Sequence, residues 1–350
     1  MEGLYYCTIQ QLQDFGLERR VISEDVTVTI NIKVVYEEPR ILSYFPTEKC
    51  VVKCGQCLTA RVEVIPDPTI TFSWRHNSKL LSQYTTNVLE IQNVKDENAG
   101  TYECLVSNEY GEVSRSFQFD IKKCPTAKRA LIVTNSVYQN DKLNAPHNDA
   151  KTLFKCLTKY GFTCTLINNL TAEDMEREIK KFFQSIKEKG AFVLFYFGGH
   201  GCMVNNSLFM IGCDADLGEV KQNQGVYTTI LEDVDTCEPL LFISMLDMCQ
   251  VSNNSLKGKQ SNKKWNCNVI QCCATSQNRV ALEHVGSAKE NSVYMKHFEK
   301  IINSKENMTF LDMIRAVNAG VDEETKGQQR PSVTSTGRSD FHLSDPIQPL

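Results

Sequence analysis

Two stretches in the second half of the chain decide its fold, AFVLFYFGGHG at residues 191–201 and LLFISMLDMC at residues 240–249. Each begins with a run that is almost wholly apolar, which is typical of a strand buried on both faces of a sheet. The carboxyl ends of parallel strands lie at one edge of their sheet. We therefore expect His200 and Cys249, which follow the two apolar runs, to lie at the same edge.

The region after residue 123 continues this pattern of apolar runs and helical segments. Thr171 followed by Asp174 resembles a capping box at the start of one helix, and Leu153, Phe154 and Leu157 are expected on the buried face of another. The alternation predicts an α/β fold, a mostly parallel sheet with helices on both faces. The predicted strands lie at 130–134, 162–167, 191–197, 240–246 and 268–273, and the predicted helices at 148–160, 171–189, 228–236, 293–302 and 309–317.

The region before residue 123 has short alternating runs separated by turns, a pattern that favours a β-sandwich. Its decisive features are Trp74 and the string D-x-x-x-G-x-Y-x-C at residues 96–104. The string resembles the tyrosine corner of immunoglobulin-like domains, and Trp74 stands where their core tryptophan is expected. We therefore predict an immunoglobulin-like domain over 39–123, followed by the α/β domain at 124–346 and a short tail at 347–350.

The first 38 residues contain an internal repeat. Residues 3–7 read G-x-Y-x-C, as residues 100–104 do, and an alternating run at 26–34 follows them as a next strand would. Two orphan strands cannot bury a core of their own. Two interpretations of 1–38 therefore stay open, the remnant of a preceding immunoglobulin-like domain and a simple N-terminal hairpin.

The chain has 15 cysteines, and its first residues lack the basic and apolar pattern of a signal peptide. We therefore expect no export signal, and free thiols in a reducing compartment. Cys104 is expected to lack an inter-sheet disulfide, because Val62 stands near the position of the usual partner. Cys50, Cys54 and Cys57 form the closest cluster, but no second pair of ligands follows at the spacing of a zinc site. We therefore predict that these thiols serve packing, with no metal and no cofactor.

Charge and hydropathy narrow the classes of function. The chain has 38 basic and 42 acidic residues, a net charge of −4, which gives no electrostatic footprint for nucleic acid. Its longest apolar run is far shorter than the roughly 20 residues that span a bilayer. We expect neither nucleic-acid binding nor membrane insertion, and a location in the cytoplasm, with the nucleus also open.

His200 and Cys249, which lie 49 residues apart, suggest nucleophilic catalysis. A thiol is only slightly ionised at neutral pH, and a neighbouring imidazole can accept its proton. We predict that the two residues form a catalytic dyad and that the backbone N–H groups of Gly201 and Cys249 form an oxyanion hole. The alternative is a loop histidine and a buried thiol with no catalytic role.

The strings YFGGHG and LDMC, with an immunoglobulin-like domain directly before them, resemble the paracaspase branch of the caspase-like cysteine peptidases. The resemblance is to the MALT-type (mucosa-associated lymphoid tissue) paracaspases. It implies a caspase-like fold for 124–346 and a thiol protease that cuts proteins after arginine. Three acidic positions match the family's arginine pocket, Asp149, Asp247 and Glu283. Carboxylates suit this role because they bind the planar fork of a guanidinium.

The resemblance also implies partners and a setting. These are protein substrates, signalling adaptor proteins that bind the immunoglobulin-like domain, and a homodimer formed through the active peptidase domain. The setting is NF-κB-type immune or stress signalling inside the cell. A second hypothesis stays open, a signalling scaffold whose peptidase domain is weak or idle. Replacement of Cys249 discriminates the two, because a scaffold keeps its partners and its signalling without that thiol.

Overall fold

The structure is a computed structural model that describes residues 37–253, 255–258, 265–282, 290–304 and 307–348. The chain divides into two compact units, one drawn mainly from the residues before 121 and the other mainly from the residues after 120. Each unit is described by itself. The expected hairpin or domain remnant at 1–38 lies outside the described residues apart from its last two.

The first unit is built from two sheets of mostly antiparallel strands, as expected of a β-sandwich. One sheet has the order β1-β3-β6 and the other the order β2-β8-β7-β4-β5. The strands are β1 (Ile41–Phe45), β2 (Cys50–Lys53), β3 (Leu58–Val64), β4 (Thr71–His76), β5 (Lys79–Leu80), β6 (Val88–Ile91), β7 (Gly100–Asn108) and β8 (Gly111–Lys122).

The core of this sandwich is hydrophobic and carries no cross-link at Cys104. Trp74 lies directly opposite Cys104 on the neighbouring strand, and its indole N–H donates to the Thr86 carbonyl at 2.8 Å. Cys104 is a free thiol, and Val62 of the other sheet is buried like it. The position near which the usual disulfide partner would stand is thus occupied by a buried valine. Burial raises the pKa of the Cys104 thiol to about 12, so this sulfur is an inert packing group.

The described residues of the second unit form a six-stranded sheet, a small antiparallel sheet and flanking helices. The large sheet has the order β10-β9-β11-β15-β16-β17 and is parallel except for its last pair. Its strands are β9 (Lys128–Thr134), β10 (Thr163–Asn168), β11 (Phe192–Gly198), β15 (Leu241–Asp247), β16 (Asn268–Cys273) and β17 (Ser332–Thr336). The small sheet consists of β12 (Gly201–Val204), β13 (Ser207–Ile211) and β14 (Gly225–Tyr227).

Helices cover both faces of the large sheet. They are α1 (Ala145–Lys159), α2 (Ala172–Ser185), α3 (Val293–Ile302), α4 (Phe310–Glu324) and a 3₁₀ helix (Thr228–Cys237). Strand β11 shows how one strand serves two cores, because successive side chains point to opposite faces. Leu194 and Tyr196 pack with α1, α3 and α4, while Val193 and Phe195 pack with α2 and the 3₁₀ helix. The predicted fold, an immunoglobulin-like sandwich before a mostly parallel sheet with helices on both faces, is confirmed.

Several details of the sequence prediction are wrong. Phe154 is 38% exposed, because the buried stripe of α1 runs through Leu153 and Leu157 and leaves Phe154 beside it. Helix α2 ends at Ser185 rather than near 189, since Ile186 turns to an extended conformation and buries its side chain in the core. The segment after Tyr227 is a 3₁₀ helix, and α4 continues seven residues past 317. The small sheet and the antiparallel strand β17 were not predicted.

Helix α2 offers a test of the capping prediction. The Thr171 hydroxyl accepts the backbone N–H of Asp174 at 3.1 Å and donates to the Asp174 carboxylate at 2.9 Å. We expect Thr171→Ala to lower the free energy of unfolding by about 1 kcal/mol, measured by urea denaturation followed by circular dichroism. Thr163→Ala, at the exposed start of β10, is the control and should change it by less than about 0.5 kcal/mol. Equal effects of the two substitutions would contradict the capping role.

Candidate active site

The parallel register of β11 and β15 brings His200 and Cys249 to one edge of the sheet. Gly198 pairs with Asp247 at the carboxyl end of the two strands, and the N–H of Gly199 donates to the Asp247 carbonyl at 3.2 Å. Each functional side chain lies two residues beyond this last pair. Both line one cavity of about 100 Å³, so the structure brings together the imidazole and the thiol that the sequence pattern predicts to be neighbours.

His200 is held by groups from the segment that follows β9. Its backbone N–H donates to the Tyr138 hydroxyl at 2.8 Å, and the two rings pack edge to face at 4.7 Å. Its Nε2 lies 2.9 Å from Oδ2 of Asp141. Sequence reasoning missed both partners, because they lie some 60 residues away in a loop and no local pattern links them to the histidine. The imidazole is therefore fixed in position and in ring orientation.

The glycines around His200 are explained by packing. A Cβ atom on Gly199 would stand 2.7 Å from the Tyr138 hydroxyl and 3.0 Å from the Asn135 carbonyl. A Cβ atom on Gly201 would overlap the side chain of Met248. Glycine therefore allows close packing on both sides of the histidine, against the segment after β9 at Gly199 and against Met248 at Gly201.

The backbone N–H of Gly201 points away from the small sheet. The neighbouring carbonyl of His200 accepts the Ile211 N–H at 3.0 Å, so Gly201 occupies the non-hydrogen-bonded position of the β12–β13 ladder. Two residues further on, the Met203 N–H donates to the Val251 carbonyl at 3.0 Å. Alternate N–H groups of a strand point to the same side. The Gly201 N–H is thus directed toward the segment that follows β15.

Cys249 is a partly buried thiol. Burial raises the pKa of this thiol, the nearby charge of Asp247 raises it further, and a hydrogen bond with the Ala281 backbone acts in the opposite direction. The thiol is therefore largely protonated at neutral pH in this structure. A base is needed before the sulfur can attack.

Two carboxylates lie on the floor of the same cavity. Asp149 is 1% exposed and Asp247 is 8% exposed. Ser292 binds both, because its N–H donates to Oδ1 of Asp149 at 2.8 Å and its hydroxyl donates to Oδ2 of Asp247 at 2.7 Å. The serine also begins α3, where its Oγ accepts the Met295 N–H at 3.1 Å. The sequence signal for Ser292 was its place directly before a predicted helix, the usual position of a capping serine.

Glu283, the third predicted carboxylate, lies outside the described residues and stays a prediction. The residues just before it, Ala281 and Leu282, line the cavity. No lysine or arginine is found among the described residues that line it. Two buried carboxylates at one cavity carry a large desolvation cost, and a cationic ligand offsets that cost. The cavity is therefore suited to a positively charged side chain next to the thiol and the imidazole.

The described residues contain no evident metal centre. Among those that the structure describes, no group of three or more histidine, cysteine, aspartate or glutamate side chains is placed to hold a metal ion. None of the described helices combines the length and the hydropathy of a segment that crosses a bilayer.

Two family models match the chain, and their order is the order of the two units. The immunoglobulin I-set domain matches residues 43–121, and the caspase domain matches residues 127–342. The second match covers more than half of the chain.

Two relatives are similar to most of the chain, and a third is similar to about a third of it. The human mucosa-associated lymphoid tissue lymphoma translocation protein 1 is 25% identical over 327 residues, and its mouse homolog is 26% identical over 326 residues. Each alignment covers 84% of this chain and 39% of the relative, so the chain spans about two fifths of the length of these relatives. Human hemicentin-1 is 28% identical over 131 residues, which is 35% of this chain and 2% of hemicentin-1.

The raised pKa of Cys249 predicts its reactivity. We expect its alkylation by iodoacetamide to be slow at pH 7 and to accelerate as the pH rises to 9 and beyond, because only the thiolate reacts. Asp247→Asn removes one of the charges that raise the pKa, so it should speed the reaction at pH 8 by a few-fold. The measurement is peptide mass spectrometry of the Cys249 peptide. An unchanged rate in the variant would show that Asp247 does not act on this sulfur.

The contacts of Ser292 predict a stability effect. Ser292→Ala removes the hydroxyl that donates to the buried Asp247 and that caps α3. We expect a loss of about 2 kcal/mol in the free energy of unfolding, measured by urea denaturation, because a buried carboxylate loses a donor. Ser292→Thr keeps the hydroxyl and is the matched control. The assignment is wrong if the threonine variant loses as much stability as the alanine variant.

Proposed function

The chain belongs to the caspase-domain family of cysteine peptidases, and on that premise we propose that it is a paracaspase, a cysteine endopeptidase that cuts proteins after arginine. One observation carries the proposal. A single cavity is lined by the Cys249 thiol, the His200 imidazole and two buried carboxylates, Asp149 and Asp247. The first two groups supply a nucleophile and a base, and the carboxylates supply a site for a cationic side chain.

The catalytic steps follow from these groups. The Cys249 thiol gives its proton to the free ring nitrogen of His200, and the sulfur attacks the carbonyl carbon of the scissile peptide bond. The C=O electron pair moves to oxygen as the S–C bond forms. When that electron pair re-forms the C=O bond, the C–N bond breaks and His200 delivers the proton to the leaving amine. Water activated by the same imidazole then hydrolyses the thioester and frees Cys249.

The proposed oxyanion hole consists of the backbone N–H groups of Gly201 and Cys249. The direction of the Gly201 N–H, away from the small sheet, supports this assignment. Backbone donors of this kind do not reorganise during the reaction, so they stabilise the developing charge in full.

The carboxylates carry the proposed specificity. A guanidinium has five N–H donors in a rigid plane, and it pairs with carboxylates through two parallel hydrogen bonds. Asp149 and Asp247 are fixed relative to each other by Ser292, so the geometry of this site is set before a substrate arrives. Glu283 is proposed as the third acidic group of the pocket. An ammonium group is a point charge without this fork, so lysine should be a poorer match.

The setting of the activity is also part of the proposal. The chain is similar over most of its length to a protein named for lymphoid tissue, and we propose a role in NF-κB-type immune or stress signalling in the cytoplasm. The immunoglobulin-like domain is proposed to bind signalling adaptor proteins. The active peptidase domain is proposed to form a homodimer. These points are supported by the alignment with the human relative, which covers 84% of this chain.

Peptide cleavage tests the proposal. We expect turnover of a fluorogenic peptide ending in arginine, no turnover of its aspartate counterpart, and loss of activity in Cys249→Ala and His200→Ala. Asp149→Asn and Asp247→Asn should lower kcat/KM for the arginyl peptide by about 100-fold, because a buried charge pair loses one member. Asp322→Asn, an exposed carboxylate of α4, is the control and should leave kcat/KM unchanged.

The scaffold hypothesis predicts the opposite pattern. A folded wild-type protein that neither cleaves the arginyl peptide nor reacts with an arginyl active-site probe supports a scaffold. Preserved signalling by Cys249→Ala in cells would point the same way.

A further inference from the structure

A short hairpin after β9 presents two side chains to His200. Val137 and Lys142 form its antiparallel bridge, and the Tyr138 N–H donates to the Asp141 carbonyl at 2.9 Å. Tyr138 and Asp141 are therefore directly opposite each other across a two-residue turn, and residues opposite each other in a hairpin have side chains on the same face. That face is turned toward the histidine.

Both of these side chains bind His200. The Tyr138 hydroxyl accepts the histidine's backbone N–H at 2.8 Å, and Oδ2 of Asp141 lies 2.9 Å from the ring nitrogen Nε2. The other oxygen of the carboxylate, Oδ1, accepts the Lys142 N–H at 2.8 Å. Each oxygen of Asp141 thus has its own partner, and rotation of the carboxylate would break both hydrogen bonds.

The hairpin is anchored at its tip and at its base. At the tip, the Asn140 side chain donates to Asp216 at 2.7 Å and the Gln139 side chain donates to the Asp214 carbonyl at 3.1 Å. At the base, the Ser136 N–H donates to the Asn169 side chain at 2.9 Å. A carboxylate on a hairpin held in this way keeps its place relative to the imidazole.

We propose that Asp141 is a positioning residue that completes a Cys249–His200–Asp141 triad, in place of the dyad that the family resemblance implies. The inference rests on the proposed function and deepens it. A carboxylate at Nε2 makes this nitrogen the donor, so the neutral ring carries its lone pair on Nδ1. The triad therefore selects the tautomer in which Nδ1 can accept the thiol proton.

The carboxylate also acts during the reaction. When the Cys249 proton moves to Nδ1, the ring becomes an imidazolium with both nitrogens protonated. Asp141 keeps its hydrogen bond to Nε2–H and stabilises the new positive charge, while no proton moves to the carboxylate. The same contact prevents the ring from turning during the later transfer to the leaving amine.

The experiment compares Asp141→Ala, Asp141→Asn and Asp141→Glu in the full chain with an arginyl peptide. We expect Asp141→Ala to lower kcat about 10–100-fold with KM within about twofold, since an acid–base group that loses its orientation loses part of its catalytic contribution. Asp141→Glu should recover part of that loss and Asp141→Asn should not. Glu219→Gln, an exposed carboxylate on a neighbouring loop, should match the wild type.

A second readout does not depend on turnover. In protein labelled with ¹⁵N-histidine, with the His200 signals assigned by His200→Gln, the neutral ring should be the Nε2–H tautomer. In Asp141→Ala it should become a mixture of tautomers. Wild-type kcat together with unchanged nitrogen shifts in Asp141→Ala overturns the triad while Cys249-dependent cleavage stands. If the wild type cleaves nothing, the proposed function fails, and the nitrogen shifts alone decide whether Asp141 positions the ring.

Discussion

The hydrogen-bonded register between β11 and β15 is the constraint on which the candidate site depends. The two strands run parallel and in step, with Gly198 opposite Asp247 at their carboxyl ends. Because each strand is buried on both faces, a shift by one residue would move apolar side chains from one core to the other, so the register is strongly specified. The two residues that follow each strand then place an imidazole and a thiol at one cavity.

The same register places a carboxylate where burial is costly. Asp247 closes β15 inside the fold, and Asp149 enters from the second turn of α1. Both rely on Ser292 at the start of α3, so one residue joins three elements at the floor of the cavity. Buried carboxylates rarely improve stability, and their retention beside a candidate nucleophile fits a site organised for a cationic ligand. The proposed specificity therefore depends on how α1 and α3 pack at the end of β15.

The amino-acid sequence by itself determined the architecture and most of the proposed site. Continuous apolar runs separated by helical periodicity specify a parallel sheet covered on both faces, and the tyrosine-corner string specifies the sandwich. The ends of β11 and β15 could be predicted closely, because the apolar runs of these strands stop shortly before His200 and Cys249. The prediction was less accurate at α2, because Ile186 leaves the helix and places its side chain in the core. Strand β17 is short and mostly polar, so its sequence alone gives only a weak strand signal, and it pairs with β16 in the folded chain.

Only the tertiary structure decided which distant groups act on these residues. Asp141 and Tyr138 reach His200 from a hairpin some 60 residues earlier, and Ser292 reaches Asp247 from 45 residues later. Hydrogen bonds of this kind require distances of about 3 Å between atoms of residues that are far apart in the sequence. No pattern along the chain therefore predicts them. A sequence shows which side chains can do chemistry, whereas the folded chain alone shows which of them are held in place for it.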